Sequence, residues 1–281
     1  MSLLEARGVT HFYPGQVRAL DALDLRIERG RRLAILGANG SGKTTVLLHL
    51  NGTLRPRSGS VLLEGEAVKY DPASLIALRR RVGLVLQNAD DQLFAATVAE
   101  DVSFGPLNLG LSEAEAAQRV EAALGALHIA HLADRATHMI SFGQKKRVAI
   151  AGLIAMQPEI LLLDEPTAGL DHQGTEDLLA VLAELERGNT TLVFTTHDVE
   201  LAYRFAHDVA IFDAGRTLAQ GPIEDILCRE SLLREARLGA PFLLKVGMRA
   251  RALGLLQPTQ PLPRSPEGVL ALLQALGSRA P

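Results

Sequence analysis

A single cysteine, Cys228, in 281 residues cannot form an internal disulfide, and nothing around it has the spacing of a metal site. A lone thiol fits a reducing compartment such as the cytosol. Basic charge is not in excess either. Lys and Arg number 29 against 32 Asp and Glu, a net charge of −3, so no global field draws nucleic acid and none is expected as a partner. Long apolar runs are missing as well. The longest candidate, residues 148–156, falls well short of the roughly 20 residues of a membrane-spanning helix, and Lys145, Lys146 and Arg147 precede it. Residues 1–8 carry Glu5 and Arg7 and lack the apolar stretch of a signal peptide. The eight histidines show no spacing suited to a transition metal. There is no internal repeat and no long heptad run. If the chain works at a membrane, other subunits have to hold it there.

What is present is ordinary globular composition, 47% hydrophobic and 22% charged, with enough length to bury a sizeable core. Short unbroken apolar runs at residues 33–36, 82–86, 160–163, 191–194 and 209–212 predict strands buried on both faces, the usual condition of a parallel sheet. Leu23, Leu25 and Ile27 alternate with charged residues and predict a half-buried strand near a sheet edge. Helical patterns lie between the runs, so the fold class is α/β. Between residues 88 and 158 the chain turns mostly helical. Ser112-Glu113-Ala114-Glu115 is a capping box opening an alanine-rich helix to about His128, and a second helix runs from near Ser141 to before Pro158. This stretch reads as a helical subdomain inserted into the α/β core. After Gly221 the strand pattern stops. Helices are predicted at 223–227, 232–238 and 242–256, then a link with Pro258, Pro261, Pro263 and Pro266, then a last helix at 267–276. Residues 221–281 therefore read as a separate small appendage to a domain of residues 1–220.

Gly37, Ala38, Asn39, Gly40, Ser41, Gly42, Lys43 and Thr44 match G-x-x-x-x-G-K-[ST], with a predicted strand before them and a helical run from Thr45 after them. Glycines let successive N–H groups turn inward as an anion nest, and the helix N-terminus adds partial positive charge. Lys43 is expected to reach the β- and γ-phosphates of ATP and the Thr44 hydroxyl to ligate Mg²⁺. Asp164 and Glu165 follow four apolar residues and so end a buried strand, where open α/β sheets bind ligands. Such an acidic pair is otherwise a common helix cap. With a phosphate loop upstream, Asp164 is read as holding the magnesium shell, and Glu165 could activate the attacking water.

At this point the chain, to about Gly221, resembles an ATP-binding-cassette (ABC) ATPase. The resemblance implies a P-loop core with a RecA-like, mostly parallel sheet, an antiparallel β subdomain and the inserted helical subdomain. It also implies that Gln87 senses Mg²⁺ and the membrane partner, that Ser141, Phe142, Gly143 and Gln144 are the signature, and that Asp171 lies in the D-loop. His197 is the implied switch histidine, and Tyr13 stacks on adenine. A signature used in trans implies two ATPase subunits sandwiching two ATP molecules. Phe142 stands where the family usually has glycine, and a bulky residue would strain any positive-φ backbone there. The segments Gln87 to Phe94, Asp101 to Pro106 and Gln144 to Gly152 resemble the energy-coupling-factor importers, above all the ATPase of the cobalt and nickel members. That implies a transmembrane scaffold subunit, a separate membrane subunit that binds the metal, a homodimer with a dimerising C-terminal segment, and a place on the cytoplasmic face of the membrane. Vitamin or other cargo is the alternative within that family. A soluble ABC ATPase acting on DNA or ribosomes is the alternative outside it, and the absent basic surface and coiled coil count against it.

Overall fold

The computed structural model describes residues 2–277. Its strands are β1 (Ser2–Tyr13), β2 (Val17–Glu28), β3 (Arg32–Leu36), β4 (Ser58–Leu63), β5 (Glu66–Ala67), β6 (Val82–Val85), β7 (Ile160–Leu163), β8 (Thr191–Thr196), β9 (Asp208–Asp213) and β10 (Arg216–Pro222). Six of them form one sheet in the order β10-β9-β3-β8-β7-β6, parallel throughout except for the hairpin strand β10. All five of the unbroken apolar runs are the parallel strands of this sheet. Strands β2-β1-β4-β5 form a second, antiparallel sheet with β2 at its edge, and Leu20, Leu23, Leu25 and Ile27 point inward from it at near-alternate positions.

Side chains alternate across a strand, and the two faces of the parallel sheet bury different partners. Leu33, Ile35, Ile160, Leu162 and Val193 join the antiparallel sheet and helix α1 (Lys43–Leu50) in one apolar cluster. Ala34, Leu36, Leu161, Leu163 and Phe194 face a second, larger cluster. That cluster receives the helices, in chain order after α2 (Pro72–Arg81): α3 (Val98–Asn108), α4 (Glu113–Ala126), α5 (Phe142–Met156), α6 (His172–Arg187) and α7 (Val199–Phe205). Each buried Leu, Ile or Val in these layers contributes about 1.5–3 kcal/mol.

Three helix starts between residues 88 and 158 carry reciprocal capping boxes, Thr97 with Glu100, Ser112 with Glu115 and Ser141 with Gln144. Each satisfies backbone donors that a helix leaves unpaired at its start. The C-terminal segment forms α8 (Ile223–Leu227), α9 (Glu230–Glu235), α10 (Phe242–Ala252) and α11 (Pro266–Gly277). The third of these stops short of the predicted 256, since Gly254 takes a left-handed φ of 74°. The segment's buried Ile226, Leu227, Leu233, Leu244 and Leu262 belong to the same cluster as the helical face of the sheet. Among the described residues no helix is long and apolar enough to cross a membrane.

Candidate active site

The neighbouring parallel strands β3, β8, β7 and β6 deliver their C-terminal loops to one edge of the sheet. The glycine-rich loop leaves β3 and enters α1. Gly42 takes φ 102°, and a Cβ there would come within 2.9 Å of the Ala19 carbonyl oxygen. A Cβ on Gly37 would lie 2.5 Å from the Phe212 carbonyl oxygen. Only glycine fits either place, the first for conformation and contact, the second for contact alone. The buried Lys43 ammonium donates to the carbonyl oxygens of Gly37 (2.8 Å) and Ala38 (3.2 Å) and stands 3.9 Å from Glu165 Oε1. Burial pushes the Lys43 ammonium below the usual lysine range, while Glu165 and Asp164 hold it up.

Asp164 follows β7 and is 2% exposed. Its Oδ2 accepts from the Thr44 hydroxyl at 2.7 Å and its Oδ1 from the Thr195 hydroxyl at 2.6 Å. Thr195, from β8, accepts from the Glu165 N–H at 2.9 Å with the same oxygen. Glu165 itself has φ 46°, a left-handed conformation that costs a non-glycine residue about 1 kcal/mol or more. Its main-chain carbonyl accepts from the Lys146 ammonium at 2.7 Å. Its carboxylate oxygens lie 3.1 and 3.2 Å from His197 Nδ1, which donates when the carboxylate is ionised.

A cleft of about 480 Å³ brings together Tyr13, Asn39, Gly40, Gly42, Lys43, Thr44, Thr45, Gln87, Asp164, Glu165 and His197. Tyr13, the last residue of β1, places its hydroxyl 3.3 Å from Thr45 Oγ1 and its ring edge-on to His11. Gln87 lies exposed on the loop after β6. That loop is anchored by Gln92, whose side-chain oxygen accepts from Leu86 N–H (2.7 Å) and whose amide donates to Leu84 O (2.9 Å). Gly37, Ala38 and Ser41 form the loop without lining the cleft. Ser41 is buried, and its hydroxyl has no hydrogen-bond partner among the described residues.

Ser141, Phe142, Gly143 and Gln144 stand outside this cleft, as does Asp171. Ser141 is the N-cap of α5; its hydroxyl accepts from Gln144 N–H at 3.3 Å, and Gln144 Oε1 accepts from Ser141 N–H at 2.9 Å. Phe142 is the first residue of α5 and has no positive φ, so the anticipated backbone strain does not arise. Asp171 caps α6 by accepting from Gly174 N–H at 2.7 Å. Thr195, Lys146 and Gln92 also serve the site, and no sequence motif marks their contacts. Thr195 and Gln92 act through partners distant in sequence or on main chain, which no local pattern reveals. Lys146 left a signal: it falls four residues before buried Ile150 on the inward side of a helix, where a lysine is out of place.

Thr44 hydroxyl and Asp164 carboxylate converge on one another, with the Gln87 amide in the same cleft. These are hard oxygen donors, few in number. That donor set fits Mg²⁺, which keeps several waters and takes further oxygens from phosphates.

The family model described as ABC transporter matches residues 20–168. The cobalt import ATP-binding protein CbiO of Rhodobacter capsulatus is 57% identical over 272 residues, 96% of each chain. The energy-coupling factor transporter ATP-binding protein EcfA of Methanoculleus marisnigri is 47% identical over 247 residues, 88% of each chain. Among solved structures, cbiO1 of Clostridium perfringens, part of the ABC transporter complex cbiONQ, superposes with a TM-score of 0.74 at 37% identity, covering 90% of this chain and 97% of that one. With a phosphate loop, paired carboxylates and a histidine gathered in one cleft, and with identity running nearly end to end, the chain belongs to the ABC transporter family as one of its ATP-hydrolysing subunits.

Proposed function

We propose that this chain is the motor subunit of an energy-coupling-factor importer and that it drives uptake of a transition metal ion, cobalt ahead of nickel. The observation that carries the motor reading is the meeting of Thr44, Asp164, Glu165 and His197 beside Lys43. The near full-length likeness to a cobalt import ATP-binding protein supports the choice of cargo. Two copies pair so that Ser141, Gly143 and Gln144 of each serve the nucleotide of the other; their place outside the chain's own cleft supports use in trans. A membrane scaffold subunit and a metal-binding membrane subunit complete the complex and hold the chain at the cytoplasmic face.

Tyr13 covers the adenine, the loop N–H groups from Asn39 to Thr45 cradle the phosphates, and the Lys43 ammonium turns from the loop carbonyls to phosphate oxygens. Thr44, Asp164 and Gln87 would hold Mg²⁺, which when bound would supply positive charge against the phosphates. Glu165 takes a proton from the water whose oxygen attacks the γ-phosphorus; the bond to the bridging oxygen breaks, leaving ADP and inorganic phosphate. His197, bound to the Glu165 carboxylate, orients that water and the γ-phosphate. Asp171 and the loop around it pass the change to the partner subunit.

The test is uptake of radiolabelled cobalt and nickel by cells expressing the complete transporter, with Glu165→Gln as control. The substitution is expected to leave nucleotide binding intact and to lower turnover by about 10²–10⁴-fold, the usual worth of a general base. Uptake of one metal, lost in Glu165→Gln, supports the reading and identifies the cargo. ATP turnover without uptake of either metal overturns the cargo and leaves the motor standing.

A further inference from the structure

Lys146 is completely buried, 0% exposed, yet among the described residues no carboxylate oxygen is its hydrogen-bond partner. Its ammonium donates instead to the main-chain carbonyl of Glu165 at 2.7 Å. It also stands 5.9 Å from the centroid of the Phe142 ring, within cation–π range. That ring lies against the turn following Glu165: a Cβ on Gly169 would come within 2.5 Å of Phe142 Cε1. One residue further on each side, the Leu170 side chain would be 3.1 Å from a Cβ on Gly143. The first turns of α5 are therefore fastened to residues 165–170 by a hydrogen bond, a ring and an apolar contact. Glu165 is held at both ends of its own unit, its N–H by Thr195 and its carbonyl by Lys146, while its φ of 46° lies where a non-glycine residue does not rest unaided.

We propose that Lys146 is a positioning residue for ATP hydrolysis, holding the left-handed Glu165 main chain through its carbonyl and so aiming the carboxylate from the same helix whose N-terminus carries the signature. Phe142 shields this contact and seats the helix on Gly169, which gives the ring that replaces the usual glycine a structural purpose. A load placed on the N-terminus of α5 by the partner's nucleotide then reaches this subunit's own Glu165 through the buried Lys146 side chain. The inference rests on the motor reading above and adds the link between the two sites of a dimer. Burial lowers the Lys146 pKa to about 8, with the Asp164 and Glu165 carboxylates opposing the shift, so the group is an ammonium donor at neutral pH.

The experiment measures steady-state ATP turnover and fluorescent-nucleotide binding on the full chain purified with its membrane partners. Lys146→Met keeps the shape and removes the donor; Lys146→Gln and Lys146→Arg keep a donor. In Lys146→Met, kcat is expected to fall by about 10–100-fold with KM and nucleotide affinity within about twofold, the pattern of a misaimed group rather than a lost binding contact. At least one donor-keeping variant is expected within about threefold of wild-type kcat, a rescue that space-filling alone does not produce. Because Thr195 holds the other end of the same unit, the Lys146→Met and Thr195→Val effects on kcat are expected to be less than multiplicative. Unchanged kcat in Lys146→Met, a loss borne by KM, or equal losses in all three Lys146 variants overturns the proposal. If Lys146→Met does not fold, the Gln and Arg variants decide alone: a tenfold loss in both, with nucleotide still bound, overturns it. A wild-type complex without ATP turnover overturns the motor reading instead, so the two failures are distinct.

Discussion

Thr195 uses one hydroxyl to hold both acids of the site, donating to Asp164 Oδ1 and accepting from the Glu165 N–H. Valine has nearly the same shape and offers neither contact. Thr195→Val would leave a buried carboxylate oxygen and a buried N–H without their partners. At about 1–3 kcal/mol for each unsatisfied group, a loss near 3 kcal/mol is expected in urea unfolding. Loss below about 1 kcal/mol would mean that water replaces the hydroxyl. Nothing in the sequence around residue 195 announces this role, since Thr191 to Thr196 reads simply as a buried strand. Lys43, Thr44, Asp164 and Glu165, which the fold brings into one cleft, sit in short contiguous motifs that can be read along the chain. Thr195 is set by its neighbour strand, 31 positions away along the chain, and only folding brings the two together.

At the scale of elements, legibility followed the regularity of burial. The parallel strands are buried on both faces and show as unbroken apolar runs. β1 is twelve residues long and shows no strand pattern in its own residues; its pairings shift register at several points, so its inward positions do not alternate evenly. Of this antiparallel sheet only the edge strand β2 shows in the residues, through alternating Leu23, Leu25 and Ile27; the sheet as a whole follows from the resemblance. Helix ends were clearer, because capping depends on short local patterns. α5 shows both kinds of end. Its N-terminus is capped by Ser141, while its C-cap, Gln157, lies at φ 54° and ψ 57°. That left-handed position suits glycine, and a side chain there costs about 1 kcal/mol. Gln157→Gly is expected to raise the unfolding free energy by about 0.5–1 kcal/mol, read as a higher thermal midpoint. A drop in midpoint would show that the greater freedom of glycine in the unfolded chain outweighs the relief.

Across the whole molecule, Lys146 ties the helical insertion to the sheet from inside the fold, so its proton is linked to global stability. Burial lowers its pKa from an ordinary 10.5 to about 8, with Asp164 and Glu165 opposing the shift. Below about pH 8 folded and unfolded chains both carry the proton, and the folded state bears the cost of a buried charge. Between about 8 and 10.5 the unfolded chain still holds a proton that the folded chain has released. Stability from this group therefore rises with pH across that window, the reverse of a group whose pKa folding raises. Methionine does not titrate, so Lys146→Met serves as the reference. The difference in unfolding free energy between wild type and Lys146→Met is expected to move toward the wild type by up to about 1.4 kcal/mol per pH unit between 8 and 10. Urea unfolding of both proteins at pH 7, 8, 9 and 10 measures it. A flat difference would mean that the ammonium is as well stabilised inside the fold as in water. A difference moving the other way would mean that the two acids outweigh its burial. Charged or neutral, the group still has an N–H to offer the Glu165 carbonyl, so this pH dependence belongs to stability and is separate from the loss of the donor in Lys146→Met.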